Sequence, residues 1–213
     1  VIYLSDNDIV EKLAICDLLD DALNAFDATR ADVLVLPTLK NRIGIGTPRP
    51  KVVKRLGEVV TARLMDFLAT IQEIDEYSVE EHEMLEGLDD SVEIDAGEII
   101  LLSATANLSD YLLMTGDKRC LRAVATHPEC DQIARRIQGH VVCFEQIICR
   151  VIARAGFKAV RAKVVPVLQN CDTALRAAFG SGLSATEPNT IECLRTYIDE
   201  IRGYPIDLLK TWD

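Results

Sequence analysis

Three short acidic stretches hold the residue types best suited to chemistry in this chain. Asp6 and Asp8 follow the apolar run VIYLS, Asp95 and Glu98 open DAGEIILLSATA, and Asp117 comes just after YLLMT. Each acid has a structural role open to it. Asp6 or Asp8 can cap the helix that follows, because an Asp oxygen accepts from the free amides of a first helical turn. D-x-x-E ahead of an apolar helix is a reciprocal capping pattern, which the helix dipole also favours, and Asp117 can cap the short helix after it. The chemical alternative is one shared site. Converging carboxylates repel unless a hard divalent cation neutralises them, and an all-oxygen set selects Mg²⁺ or Mn²⁺ over zinc.

The elements that must position these acids alternate strand and helix. Residues 1–5 predict a buried strand stopping at a helix start, and residues 9–26 place apolar side chains near a helical period. A second strand spans 32–38 and ends at Pro37. A Gly/Pro loop covers 43–50, and a long helix follows it. Residues 73–90 are acidic and predict a short exposed helix and a turn. A helix over 95–107, a strand at 111–115, a short helix at 118–126, and a strand at 140–144 feeding a helix to 155 complete the pattern. Such alternation argues for an α/β fold with a small, mainly parallel sheet. Beyond Gly156 the strand signal stops, and two helices flanking GSGLSAT lead into a short helical tail. The expected organisation is a domain over 1–156 and a helical extension over 157–213.

Topology changes how the acids are weighed. Ligands of open parallel sheets bind beyond the carboxyl ends of the strands. Asp6 and Asp117 each follow such an end, and Glu98 begins the helix leading into the third predicted strand. Capping best accounts for Asp95. For Asp6, Glu98 and Asp117 the joint placement favours metal, with Asp8 able to cap in place of Asp6 and leave Asp6 free to point into the mouth of the sheet.

Composition narrows the setting. Nearly half the residues are apolar, enough for a sizeable core, and the chain is long for one domain. No apolar run approaches the ~20 residues needed to cross a bilayer. Seven cysteines with no CxxC pair, and three scattered histidines, lack zinc spacing. Buried thiols in a reducing, cytoplasmic setting are therefore expected. The net charge of −11 argues against a nonspecific nucleic-acid coat. Its distribution is uneven: residues 33–57 contain no acid, residues 64–116 contain no Lys or Arg, and a second basic set runs over 150–163. Solvated helix faces are one account. A basic rim around an acidic centre, suited to a polyanion, is the other.

YLSDNDIVEKLA, DAGEIILLSATA and YLLMTGDKRCL, in that order over residues 1–148, resemble the PIN domain family of metal-dependent nucleases. The resemblance implies a three-layer α/β/α sandwich whose acidic pocket holds one or two Mg²⁺ or Mn²⁺ ions. Those ions activate a water and stabilise the leaving oxygen of an RNA phosphodiester. By position, Asp6, Glu98 and Asp117 would be the catalytic, metal-binding acids. Asp8 would be an additional ligand, and Asp95 a cap or supporting residue. Lys40, Arg42, Lys118 and Arg119 would position the RNA backbone. An antitoxin or other protein partner, and a homodimer, are compatible on family grounds. One departure stands out: the segment after the second strand, PTLKNRIG, carries Asn41 and basic residues where the family usually supplies another acid.

Two other functions compete. DND after the first strand fits the DxD pair of a haloacid dehalogenase-type phosphatase, but the lysine its mechanism needs is absent between Lys54 and Lys118. A PIN-like module without catalysis, binding RNA or protein through an incomplete site, accommodates the missing acid.

Overall fold

The computed structural model describes residues 1–44, 46–89 and 92–212. The predicted loop over 43–50, the acidic turn reaching Asp90 and the tail reaching Asp213 each include a residue outside that set. The chain runs β1 (Ile2–Ser5), α1 (Asn7–Ile15), α2 (Leu19–Ala25), β2 (Val33–Val35), α3 (Pro37–Ile43), α4 (Pro50–Leu56) and α5 (Glu58–Leu68). It continues through β3 (Gln72–Glu73), α6 (Val79–Glu86), α7 (Ala96–Ala104), β4 (Tyr111–Thr115), α8 (Lys118–Thr126) and α9 (Asp131–Ile137). β5 (Val141–Cys143), α10 (Phe144–Ala155), α11 (Phe157–Val164), α12 (Thr173–Ala178) and α13 (Glu187–Arg202) follow.

The five strands form one parallel sheet in the order β3-β2-β1-β4-β5. Alternation along each strand sends neighbouring side chains to opposite faces. Tyr3, Leu112, Met114 and Val142 join a core with α1, α2, α5 and α10. Leu4, Leu113, Val141 and Cys143 join a second core with α6, α7, α8 and α9. Burial on both faces explains why β4 reads as the unbroken apolar run YLLMT. The result is a three-layer α/β/α sandwich with added C-terminal helices.

Several predicted helices are divided, and backbone chemistry explains where. The helix expected over 9–26 breaks into α1 and α2 around Asp17, whose φ is +58°. The long helix after residue 50 splits at Gly57, where φ is +81°. A left-handed residue cannot continue an α-helix, and glycine adopts that conformation without steric cost. The segment 157–179 is also divided, into α11, a 3₁₀ stretch at Val165–Asn170 and α12. Residues 37–43 form α3, with Pro37 suited to a first helical position.

The tail corrects the helical expectation. Leu209 bridges Val141 in parallel fashion, and the Lys210 amide donates to the Val141 carbonyl at 2.7 Å. It thus covers the open edge of β5. The C-terminal helices share the first core: Phe157, Val160, Leu175, Phe179 and Leu194 pack in one cluster with α1 and α10. Among the described residues no helix is long and apolar enough to cross a membrane.

Candidate functional site

The strand order reverses direction at β1 and β4, which are direct neighbours. Ser5 pairs with Met114, and the Asp6 amide donates to the Met114 carbonyl at 3.0 Å. Asp6 and Asp117 therefore leave adjacent strands on the same side of the sheet. A crevice outside the strand ends is built into such a switch point. Here it is a cleft of about 550 Å³, lined by Asp6, Asp8, Asp95, Glu98 and Asp117, with Arg42 and Arg119 beside them. All five acids singled out in the sequence meet at one cleft.

Helix α7 reaches the cleft because Gly97 keeps its first turn against the end of β2. A Cβ on Gly97 would lie 3.0 Å from Leu36 Cδ1. Asp95 Oδ1 accepts from the amides of Gly97 and Glu98, while Glu98 Oε2 accepts from the Asp95 amide at 2.7 Å. The capping box is thus formed in full. Asp117 caps α8 through the amides of Arg119 and Cys120, and its Oδ2 accepts from the Arg119 guanidinium at 3.0 Å. Asp6 differs from these three. It occupies the N-cap position of α1 without a side-chain capping bond. Asp8 lies in the first turn of α1 and pairs with Lys12 at 3.4 Å.

The electrostatics reflect this crowding. Glu98 is only 6% exposed, and burial pushes its pKa up to about 8. The Asp95 amide opposes that rise, while Asp95, Asp117 and Asp6 add to it by repulsion. Burial also raises Asp6 to about 6, helped by Asp8 and Asp95. Asp117 moves the other way: burial would raise it, but Arg119 and two amides hold it below the usual range. A carboxylate whose pKa is raised by burial and by its neighbours favours either a proton or a cation.

The basic residues divide. Arg119 sits in the cleft between Asp117 and Glu93. Arg42 lines the opposite wall and, together with Arg55, grips the buried Glu11 carboxylate. Lys40 instead donates to the Ile71 carbonyl at 2.8 Å, away from the acids. Lys118 turns onto α13, pairing with Glu200 at 2.7 Å above the Tyr197 ring. The second basic set staples helices together. Arg150 sits over Phe26 and Trp212, Arg154 pairs with Asp27, and Lys163 pairs with Asp21.

Two contributors escaped the sequence reading. Lys12 bridges Asp8 and Asp172, and its Nζ lies 3.2 Å from where a Cβ on Gly116 would stand. The spacing of Asp8 and Lys12, four residues apart on one helix, was its available signal. Asn7 donates to Thr38 Oγ1 at 3.0 Å, tying the start of α1 to the start of α3. Its own Oδ1 is buried without a partner among the described residues. Among the described residues no carboxylate lines the β2 end of the cleft, where Leu36, Thr38 and Arg42 form the wall.

The donors are all oxygens, which fits a hard cation in kind. Yet among the described residues no three His, Cys, Asp or Glu side chains are grouped tightly enough to hold an ion as they stand. Fold and cleft together define an α/β/α protein with a parallel sheet and an acidic switch-point crevice. Comparison with models of known protein families, with curated proteins and with solved structures returned no match.

Proposed function

We propose that this chain is a PIN-like, Mg²⁺- or Mn²⁺-dependent ribonuclease acting on RNA phosphodiesters at the β1/β4 cleft. The observation that carries the reading is the pair Asp6 and Glu98. Two carboxylates at the strand-end crevice have raised pKa values, and neither is paired to a cationic side chain among the described residues. Enzymes place such carboxylates where a cation or a proton is handled.

Asp6, Glu98 and Asp117, with Asp8, would hold the ion. When bound, it would polarise the phosphate and make water a stronger nucleophile. The chain's own cations would orient the RNA. Arg42 and Arg119 flank the acids, and the exposed Arg49, Lys51 and Lys54 extend a basic flank along α4. These groups contact phosphate and so position RNA without reading its sequence.

A second reading has its own observation. Asp95, Glu98 and Asp117 are all engaged in helix capping, and among the described residues the β2 end supplies no acid. A PIN-like module that binds RNA or protein without cleaving it accommodates both facts. Lys12, beside Asp8, also offers the phosphatase reading a cation near its aspartates.

One set of assays separates the three. Cleavage of labelled RNA that needs Mn²⁺, stops with EDTA and is lost in Asp6→Asn supports the nuclease. RNA binding without cleavage at millimolar Mn²⁺ supports the module. Hydrolysis of para-nitrophenyl phosphate that is lost in Asp8→Asn supports the phosphatase.

A further inference from the structure

At the C-terminal end of α1, two thiols 155 residues apart in sequence meet. Cys16 Sγ and Cys171 Sγ are 3.5 Å apart. Cys16 ends α1 and is 1% exposed, while Cys171 lies half-buried just before the Asp172 cap of α12. Among the described residues it is the one thiol–thiol contact, although Cys149 and Cys193 are also half-buried. We infer that Cys16 and Cys171 form a redox-modification site that closes to a disulfide on exposure to a hydroperoxide.

The geometry favours this pair over the other cysteines. The sulfurs need to approach by only ~1.5 Å to reach bonding distance, within the range of small side-chain rotations. The contact with Cys16 Sγ and the Arg176 charge lower the Cys171 pKa, against burial and Asp172. Cys171, which also lies 3.4 Å from the Val167 carbonyl, is the more exposed sulfur and so the one a peroxide reaches first.

The chemistry balances as follows. Cys171 thiolate attacks one oxygen of hydrogen peroxide; an S–O bond forms, the O–O bond breaks, and the departing hydroxide takes a proton as water. Cys16 sulfur then attacks the sulfenic sulfur; the S–S bond forms, the S–O bond breaks, and hydroxide leaves with the Cys16 proton as a second water. The thiols lose two electrons, and peroxide is reduced by two. A thiol reductant returns the pair to its starting state.

The bond has a defined mechanical consequence. Asp172, next to Cys171, pairs with Lys12 at 3.3 Å, and Lys12 also pairs with Asp8. Oxidation would therefore clamp the Asp172 segment onto the helix that carries Asp8, whatever the cleft binds.

The test is peptide mapping of the whole chain after brief treatment with equimolar hydrogen peroxide. The expected result is a Cys16–Cys171 cross-linked peptide, removed by dithiothreitol and retained in Cys193→Ser. The oxidised chain should melt on the order of 5–10 °C higher, because a link across so long a loop restricts the unfolded chain. Oxidation confined to other cysteines, or sulfinic acid on Cys171 with no cross-link, would overturn the inference. The readout on the wild-type chain does not depend on any variant folding.

Discussion

A carboxylate that only caps a helix and one that binds a cation respond differently to an amide. Asn is as good an N-cap as Asp, so Asp117→Asn should retain the bonds to α8 and melt within about 2 °C of the parent. It should nevertheless abolish Mn²⁺-dependent cleavage of RNA if Asp117 serves the ion. Asp117→Ala loses both roles and should also cost about 1 kcal/mol in denaturant unfolding. Glu98 permits a sharper measurement. With its folded pKa at about 8 against an ordinary 4.5, the native chain holds a proton that the unfolded chain has lost. Stability in metal-free buffer should therefore decline as pH rises from 4.5 to about 8, then level off. Asp6 adds a decline from 3.8 to about 6. Glu98→Gln can still accept from the Asp95 amide, so it should flatten the upper part of this decline. At pH 8 it should gain on the order of 2 kcal/mol, read by urea unfolding across pH. An unchanged slope in that variant would remove Glu98 as its source.

Among the elements, α1 does the most to hold the cleft together. Its first residue, Asn7, bonds to Thr38 of α3. One turn on, Glu11 anchors Arg42 from α3 and Arg55 from α4, while being only 5% exposed. A buried carboxylate held by two guanidinium groups leaves both without partners when it is removed. Glu11→Gln should cost about 2 kcal/mol in unfolding free energy. If the RNA reading holds, it should also weaken RNA binding by freeing Arg42 from its place on the rim. Gly57 makes a separate element-scale test. Its φ of +81° divides α4 from α5, and a Cβ there meets nothing, so the strain is purely conformational. Gly57→Ala should lower stability by about 1 kcal/mol with the cleft untouched.

At the scale of the molecule, the added helices and tail complete both faces of the sheet. The first core runs without interruption from α1 and α10 into α11, α12 and α13. Ile198, Ile201, Leu208 and Leu209 belong to the second. A chain cut after residue 156 should therefore expose apolar surface, bind a hydrophobic dye and lose its sharp melting transition. Removal of residues 207–213 alone should uncover the β5 edge. That truncation should lower the melting temperature and raise the tendency to self-associate, measured by light scattering.

Local sequence determined the parts whose physics is local. The apolar run of β4, the D-x-x-E box ahead of α7, the Asp117 cap, the bounds of α8 and α13 and the C-terminal end of α10 follow from burial periodicity and from side chains that satisfy nearby amides, whereas α10 starts at Phe144, inside the predicted strand. The meeting of Asp6 with Asp117 was legible too, because parallel strands place their ends together. Divided helices were less legible, since the breaks at Asp17 and Gly57 depend on backbone angles selected by packing. Only the tertiary structure decided which cations face the acids. Lys40 and Lys118 find partners on β3's approach and on α13, whereas Arg42 and Arg119 stay at the cleft. Ion pairs, Lys12 with Asp172, and Cys16 with Cys171 join residues far apart in the chain. Their formation depends on how whole layers dock, and no short window of residues encodes that docking.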